Sequence, residues 1–406
     1  MEKTRAAVDP WLPNSEQRAW MKRFFEDSNG PALDTLNARA FHVIDEGLRS
    51  LSQISDQPLN LFEWISGQIM RTTSDAIFGS FNPMRNEKNL EAWKNYHSGL
   101  TLMTLDVLPQ CIFSRRAVAS REQLVRSFAD YFSRKHYTQG SEYIRKFVDH
   151  CISHRIPEGD VPRFLLGTLF NNVSNTIPSA FWIVYRVFSD STLLEMCRAE
   201  VKGACSDTIS PDGLDIITFD LTYVLTSCPV LRSTYHEVLR FYGIANSIRM
   251  VAEDCTLDNF VLKKGGIVMI PARVQHSNPN IWGENVGDFN CTRFLRDHTG
   301  SEKRINPTAF RAFGGGTVLC PGRHFATSEI LLFVSLLILR FDLRPRAGNW
   351  MHPSTKNSSQ TEAILQPDED VEILTMPRPA TRGKSWRIAF SGRRDVEVRG
   401  ENIGSN

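Results

Sequence analysis

The chain has 406 residues, 41% of them hydrophobic, and its 47 basic and 45 acidic side chains leave a formal net charge of +2. So small an imbalance gives no reason to expect nucleic acid as a partner, and the length permits one large core as readily as two or three domains. The longest strongly apolar run, Ile330 to Leu339 broken only by Ser335, is about half of what a bilayer span needs.

The opening stretch "MEKTRAAVDPWLPNSEQ" is polar and reads as neither a signal peptide nor an anchor. Residues 15–55 have a helical pattern, and so do residues 59–79, whose apolar positions recur at three and four. Residues 117–153 alternate charge and bulk as two surface helices do. The segment "VPRFLLGTLFNNVSNTIPSAFWIVYRVF", 161–188, predicts one buried central helix. Pro178 cannot donate to the carbonyl of Ser174, so that helix should kink there and leave a groove. Shorter helices are expected over 191–202 and 226–242.

The texture then changes. "SIRMVAEDCTLDNFVLKKGGIVMIPA" reads as short strands broken by a Lys-Gly-Gly turn. An irregular loop runs to 319, a helix covers 321 to about 340, and short strands including "AILQPDEDVEILTMP" precede a basic, polar tail. No repeat and no linker interrupts the chain. The expected fold is mainly α with a small β region, in a single domain over 1–406. It divides into a helix-rich part (15–245), a β region (246–275), a cysteine loop with its following helix (310–340), and a C-terminal β region and tail (341–406). The eight cysteines, at 111, 151, 197, 205, 228, 255, 291 and 320, read as reduced thiols, most of them small core residues.

One of them stands apart. "FGGGTVLCPGRHF", 313–325, has Leu319 where a dinucleotide loop needs glycine, and it lacks the Gly-Lys-Ser/Thr of a phosphate loop. The chain's one Gly-Lys-Ser, Gly383-Lys384-Ser385, has Arg378 where that loop's earlier glycine belongs. No second cysteine sits at C-x-x-C spacing, which excludes a zinc knuckle or a redox pair. A single thiol on a glycine turn before a helix remains. With Cys320 as N-cap and Pro321 at the first helical position, the free N–H groups and positive helix end would lower the thiol pKa. Gly314 to Gly316, with Gly322 on the other side, would let backbone run close to a flat, bulky ligand. A thiolate held against a large planar group is the arrangement for axial ligation of haem iron. The plainer alternative is a buried cysteine beside a glycine turn.

Phe313, Gly316, Cys320 and Gly322 fit F-x-x-G-x-x-x-C-x-G, and here the chain resembles the haem-binding signature of cytochrome P450, with Pro321, Arg323 and Ala326 extending the match. The resemblance implies haem b with its iron held by Cys320. Val318 departs from the pattern, because many members carry Arg or His there to pair with a haem propionate. In "HEVLRF", Glu237 and Arg240 match the family's E-x-x-R pair, and Arg293 in "DFNCTRF" matches the third member of its buried triad; all three are implied structural residues. Arg249 matches a position that commonly binds a propionate. In the central helix the family has an acid-alcohol pair, and this chain offers Asn175-Thr176, with Thr176 placed to hydrogen-bond dioxygen or its water and help deliver protons. Asn175 and Val318 together make the chain similar to the branch containing cholesterol 7α-hydroxylase and prostacyclin synthase.

The likeness covers roughly residues 20–376. At the front, the resemblance implies that the family's membrane anchor, first sheet strands and first substrate loop are missing, and Trp20 and Arg23 are one residue too close for the W-x-x-x-R that often binds a propionate. Loss of those strands would leave exposed edges near 248–271. The implied function is a haem-thiolate monooxygenase. It would take electrons from NADPH through a cytochrome P450 reductase, activate O2, and hydroxylate or epoxidise an apolar small molecule: a steroid, terpenoid, lipid or other secondary metabolite. The alternatives are a haem-thiolate isomerase or dehydratase, and a non-catalytic shortened relative. Arg293, Arg296, Lys303, Arg304, Arg311 and Arg323 make the thiolate side basic, which suits reductase docking or simple solvation. A monomer is expected. Family resemblance places it at the endoplasmic reticulum membrane surface, with a cytoplasmic location as the alternative for a chain showing no anchor.

Overall fold

The apolar run at 330–339 becomes the middle of a helix, Arg323–Arg340, whose residues are buried on almost every side. A helix apolar all round belongs inside a protein, with other helices laid against it. The structure, a computed structural model, describes residues 30–54, 57–105, 114–295, 307–316, 318–359 and 362–392. The helices packed around the central one are α1 (Pro31–Gln53), α2 (Leu61–Phe78), α3 (Glu87–Ser98), α4 (Arg115–Ser133), α5 (Glu142–Ser153), α6 (Val161–Val173), α7 (Thr176–Ser189), α8 (Ser191–Lys202), α9 (Leu221–Ser227) and α10 (Pro229–Phe241). The central helix is α11. It touches α1, α7, α8 and α9 directly, while α3, α4 and α6 form an outer group reached through α2. Among the described residues no helix is long and apolar enough to cross a membrane.

Local chemistry sets several helix ends. Asp190 opens α8 by accepting from the N–H groups of Thr192 and Leu193 at 2.9 and 3.0 Å, the usual work of an N-cap carboxylate. Asp220 opens α9 in the same way, through the Thr222 N–H at 3.0 Å. Pro229 then starts α10 after a break at Cys228, so the helix expected over 226–242 begins three residues later, and α9 precedes it as a separate helix. The expected central helix over 161–188 is also two, α6 and α7, with Ser174 and Asn175 between them. Pro178, the third residue of α7, is the cause legible in the sequence.

The strands form small sheets. β1 (Leu59–Asn60), β11 (Glu372–Pro377) and β10 (Phe341–Pro345) make one in that order, all antiparallel. β2 (Cys205–Ile209) and β3 (Asp215–Asp220) form a hairpin, which β12 (Ser385–Ala389) joins in parallel. β4 (Asn246–Met250) pairs with β7 (Ile267–Pro271), and β5 (Cys255–Leu257) with β6 (Phe260–Leu262). Among the described residues β4 and β7 have no further neighbours, and Met250 and Ile267 are 74% and 71% exposed. These are the edges expected from the sequence. Finally β8 (Gly314–Gly315) and β9 (Val318–Leu319) form a minimal hairpin just before α11.

At the far end of α11 from that hairpin, Arg340 bonds Asp45 of α1 at 2.7 Å and lies over the Trp386 ring. A cavity of about 590 Å3 lined by Arg49, Arg340, Arg378, Arg382 and Lys384 opens there, a full helix length from Cys320.

Candidate functional site

The β8–β9 hairpin ends at Cys320, whose N–H donates to the Phe313 carbonyl at 2.8 Å. Gly314 and Gly316 have φ of +85° and +69°, the left-handed region in which a side chain would be strained. A Cβ at Gly316 would meet nothing within 4 Å, and one at Gly322 would come only to 4.0 Å from the Cys320 sulfur. The glycines therefore leave open space beside the thiol. Cys320 is exposed to that space, whereas Cys151, Cys197 and Cys228 are buried. Cys205 and Cys291 are half-buried and Cys255 is exposed, so only part of the cysteine set is core. Cys111 lies outside the described residues.

The helix after the cysteine begins later than expected. Its N-cap is Gly322 and its first residue Arg323, so Cys320 is not the cap and Pro321 is not in the helix. The N–H groups of Gly322 and Arg323 still reach the sulfur and pull its pKa down, as does the Arg323 charge. The surrounding protein outweighs them: although part of the residue reaches solvent, desolvation pushes the Cys320 thiol above its ordinary value, opposite to the sequence expectation. A cation bonded to the sulfur would reverse that balance, since coordination deprotonates a thiol outright.

Beneath the hairpin lies a dense ionic network. Glu237 and Arg240 are both on α10 and fully buried. Arg240 grips the carboxylate bidentately, Nε to Oε2 and Nη2 to Oε1, each at 2.7 Å. The Arg293 Nε donates to both carboxylate oxygens at 3.1 and 3.2 Å, and the Asn290 N–H adds a bond to Oε1 at 2.9 Å. The outer donors of both guanidiniums bond carbonyls of the irregular segment: Arg240 takes His276 at 2.8 Å, and Arg293 takes Trp282 and Asn285 at 2.8 and 2.9 Å. One buried carboxylate thus organises two cations, and these pin a segment made of short helical turns, Ala272–His276, Pro279–Trp282 and Glu284–Gly287. Arg293 is consumed here, which removes it from the basic surface expected on the thiolate side. Arg296, Lys303 and Arg304 lie outside the described residues, as do Trp20 and Arg23.

His276, whose carbonyl Arg240 holds, continues the network. Burial first, then the Arg240 charge, lowers its pKa to about 4, so the ring is neutral. Its Nε2 accepts the backbone N–H of Arg311 at 2.9 Å. The Arg311 side chain turns towards the hairpin and donates from Nη2 to Ser247 Oγ at 3.2 Å. Arg249, on β4 beside Ser247, donates from Nη1 to the neighbouring Ile248 carbonyl at 2.8 Å. It is near enough to Arg311 for its charge to depress the Arg311 pKa, second to burial.

Thr176 and Asn175 sit at the α6–α7 break. Thr176 is buried, and its Oγ1 donates to the Asn172 carbonyl at 2.7 Å. Asn172 in turn lies close to Gly322, with its Oδ1 3.8 Å from where a Gly322 Cβ would be. Asn175 does something the sequence did not suggest: its Oδ1 accepts the Ala363 N–H at 3.0 Å, tying the break to the C-terminal loop. Beside Ala363, burial pushes Glu362 up to about 7, and His97 of α3 approaches its carboxylate at 3.2 Å. Neither group was singled out from sequence, because no motif links α3 to residue 362.

The chain therefore brings Phe313, Gly316, Cys320 and Gly322 into one loop, and Glu237, Arg240 and Arg293 into one network. Arg249 flanks the hairpin, and the Asn175-Thr176 pair is approached through Asn172. A comparison with protein-family models matches residues 14–374 to one described as Cytochrome P450. Among curated relatives, "Cytochrome P450 monooxygenase nodJ" of Hypoxylon pulicicidum is 30% identical over 88% of this chain and 70% of its own length. A "Cytochrome P450 monooxygenase" of Gibberella zeae is 26% identical over 91% and 72%. The rat "25-hydroxycholesterol 7-alpha-hydroxylase" is 28% identical over 61% and 58%. Steroid 7α-hydroxylases are thus among the relatives, as the Asn175 and Val318 wording implied, but the two fungal monooxygenases align over more of the chain. A solved structure, "Retinoic acid bound cyanobacterial CYP120A1", superposes with a TM-score of 0.70 over 93% of this chain and 82% of that one, at 16% identity, a likeness of fold alone. With the family model covering most of its length and the fungal monooxygenases aligned over 88% and 91% of it, the chain belongs to the cytochrome P450 family, whose members hold haem through a cysteine thiolate.

Proposed function

We propose that the chain is a haem-thiolate monooxygenase that receives electrons from NADPH through a reductase and inserts one oxygen atom of O2 into an apolar secondary metabolite. The observation that carries this reading is Cys320: a thiol at the mouth of a glycine hairpin, open on the glycine side, with the Gly322 and Arg323 N–H groups on its sulfur. The residues present fit haem. There is free space beside Gly316, a soft donor for iron, and a pair of guanidiniums without carboxylate partners next to the hairpin. When bound, haem supplies the oxygen chemistry, and thiolate donation favours O–O cleavage.

The protein's own part is positioning and proton supply. Cys320 ligates iron, and the two N–H groups behind it temper how strongly the sulfur donates. Arg249 is assigned to a haem carboxylate. Thr176 spends its hydroxyl proton on the Asn172 carbonyl, so its oxygen remains free to accept from water and to hold that water at the break between α6 and α7. Asn175 carries no proton to transfer, and its carbonyl oxygen is committed to Ala363. That commitment favours, as a second reading, a haem-thiolate isomerase that needs no proton delivery.

Reconstitution with a reductase separates the two. Monooxygenation predicts a product heavier by one oxygen from a steroid or terpenoid panel, formed only when NADPH and O2 are both present. Thr176→Val should then lower product formed per NADPH consumed by about 100-fold, the lower end of proton-transfer contributions. Rearranged product of unchanged mass, formed without NADPH, would replace this proposal with the isomerase.

A further inference from the structure

Arg311 matches no signature and was read from the sequence only as one charge in a basic stretch. Its surroundings in the structure are specific. A Cβ added at Gly315 would meet the Arg311 Nη1 at 2.8 Å and its Cζ and Nη2 at 3.0 Å, so the guanidinium lies flat on the hairpin where only glycine leaves room. Gly315 is the cross-strand partner of Val318. Directly opposed residues of an antiparallel pair share a face, so Arg311 covers the face of the hairpin that position 318 belongs to. That is the position where the family's usual cation is replaced by valine.

Three further observations show what the guanidinium awaits. Its Nε is buried and has no partner. Its Nη2 is held by a neutral hydroxyl, Ser247 Oγ. The adjacent charged side chain is another cation, Arg249, which bonds only a backbone carbonyl. Two neighbouring guanidiniums, neither bonded to a carboxylate among the described residues and one carrying an unsatisfied buried donor, make an arrangement that an anion would stabilise. The backbone behind it is also held in place, because the Arg311 N–H is bonded by the His276 ring, and the His276 carbonyl is held by Arg240 of the buried network.

We propose that Arg311 is a haem-carboxylate anchor of this chain, standing in for the cation absent at 318 and acting beside Arg249. The assignment rests on the haem-thiolate reading above. A planar fork facing a propionate can bond bidentately, which a valine cannot replace and a lysine reproduces only as a point charge.

The test compares two ligands on the full chain produced without haem: haem b, and haem whose two propionates are methyl esters. Arg311→Ala should raise the Kd for haem b about tenfold or more, and change the Kd for the diester by less than about twofold. Arg311→Gln, which keeps a polar group for Ser247 but no charge, should behave as the alanine variant does and decides the matter if that variant does not fold. Arg311→Lys should fall between wild type and alanine. Equal weakening of both ligands would show a packing role and overturn the assignment, and so would unchanged binding of haem b. A wild-type chain that binds haem b with no thiolate-type absorption would overturn the reading beneath it instead, a result visible before any variant is made.

Discussion

Replacing Arg240 with alanine is expected to destabilise the protein by about 3–5 kcal/mol and to abolish haem uptake in cells. The reason is the asymmetry of buried charge. Glu237 has no solvent access, and it receives three side-chain donors from two arginines, one of them shared between its two oxygens, plus one backbone N–H. Removing one cation strips the buried carboxyl of its bidentate partner where water cannot replace it, which costs about 3–5 kcal/mol at a buried pair. The damage would not stay local. The Arg240 Nη1 also holds the His276 carbonyl, and the His276 ring holds the Arg311 N–H ahead of the cysteine hairpin. Arg240→Lys should recover little, because one ammonium cannot supply the parallel pair of 2.7 Å bonds. Denaturant unfolding of the apoprotein checks the stability, and haem absorbance of the purified variant checks the uptake. An Arg240→Ala protein with wild-type stability would contradict the account of the network.

A second large effect is expected at Glu329, where the sign with pH is the informative part. Glu329 lies in α11 with no exposure, and its carboxyl receives one bond, from Thr73 Oγ1 of α2 at 2.8 Å. The other oxygen has no partner. Burial raises its pKa to about 8, against a partial lowering by the Thr73 bond, so the folded protein keeps a proton that the unfolded chain releases near its ordinary value. The stability this proton contributes is present at low pH and is lost as pH rises through about 8. Glu362, pushed up to about 7 by burial, adds in the same direction. Glu329→Gln should leave stability at pH 5 close to wild type, since a protonated glutamate and a glutamine both accept from Thr73. At pH 8.5 it should be more stable than wild type by about 2–4 kcal/mol, at 1.36 kcal/mol for each unit of pKa displacement and discounted for water entry. Thermal midpoints from pH 5 to 8.5 measure this. Parallel curves for the two proteins would contradict it.

What could be read in advance divides by the range over which each feature is encoded. The cysteine hairpin was legible because its requirements are local: positive φ at 314 and 316 demands glycine at a fixed distance from Cys320. Glu237 and Arg240 were legible as an i, i+3 pair, and Arg293 by its spacing. The chemistry that ties them to the rest is carried by backbone carbonyls of 276–288, which leave no mark in side-chain identity. Arg311 was hidden for the same reason, since its meaning comes from Gly315, Ser247 and Arg249, brought together only by the fold. Asn175 was found as the residue in the acid's place, yet its bond to Ala363 spans nearly half the chain and leaves no mark in the local sequence.

Local rules also misplaced boundaries. Pro321 next to a cysteine suggested a helix beginning at the cap, whereas the turn carrying the sulfur needs two more residues before α11 starts at Arg323. The β2–β3 hairpin was overlooked because nearly every residue of β2 is exposed, so it lacks the alternation that marks a half-buried strand, and its stabilising partner β12 lies far along the chain. Helix α3 was overlooked because its apolar face is narrow, with only Ala92 and Trp93 as buried apolar residues.

The central claim is that Cys320 binds haem iron through its sulfur, and the reduced, carbon-monoxide-bound absorption spectrum tests it most directly. Expressed with a haem precursor, the wild-type chain should show the strongly red-shifted Soret band of thiolate ligation, and Cys320→Ala, compared at equal protein concentration, should lose it. A haem band unchanged by that substitution would contradict the account, because iron would then be held by some other residue.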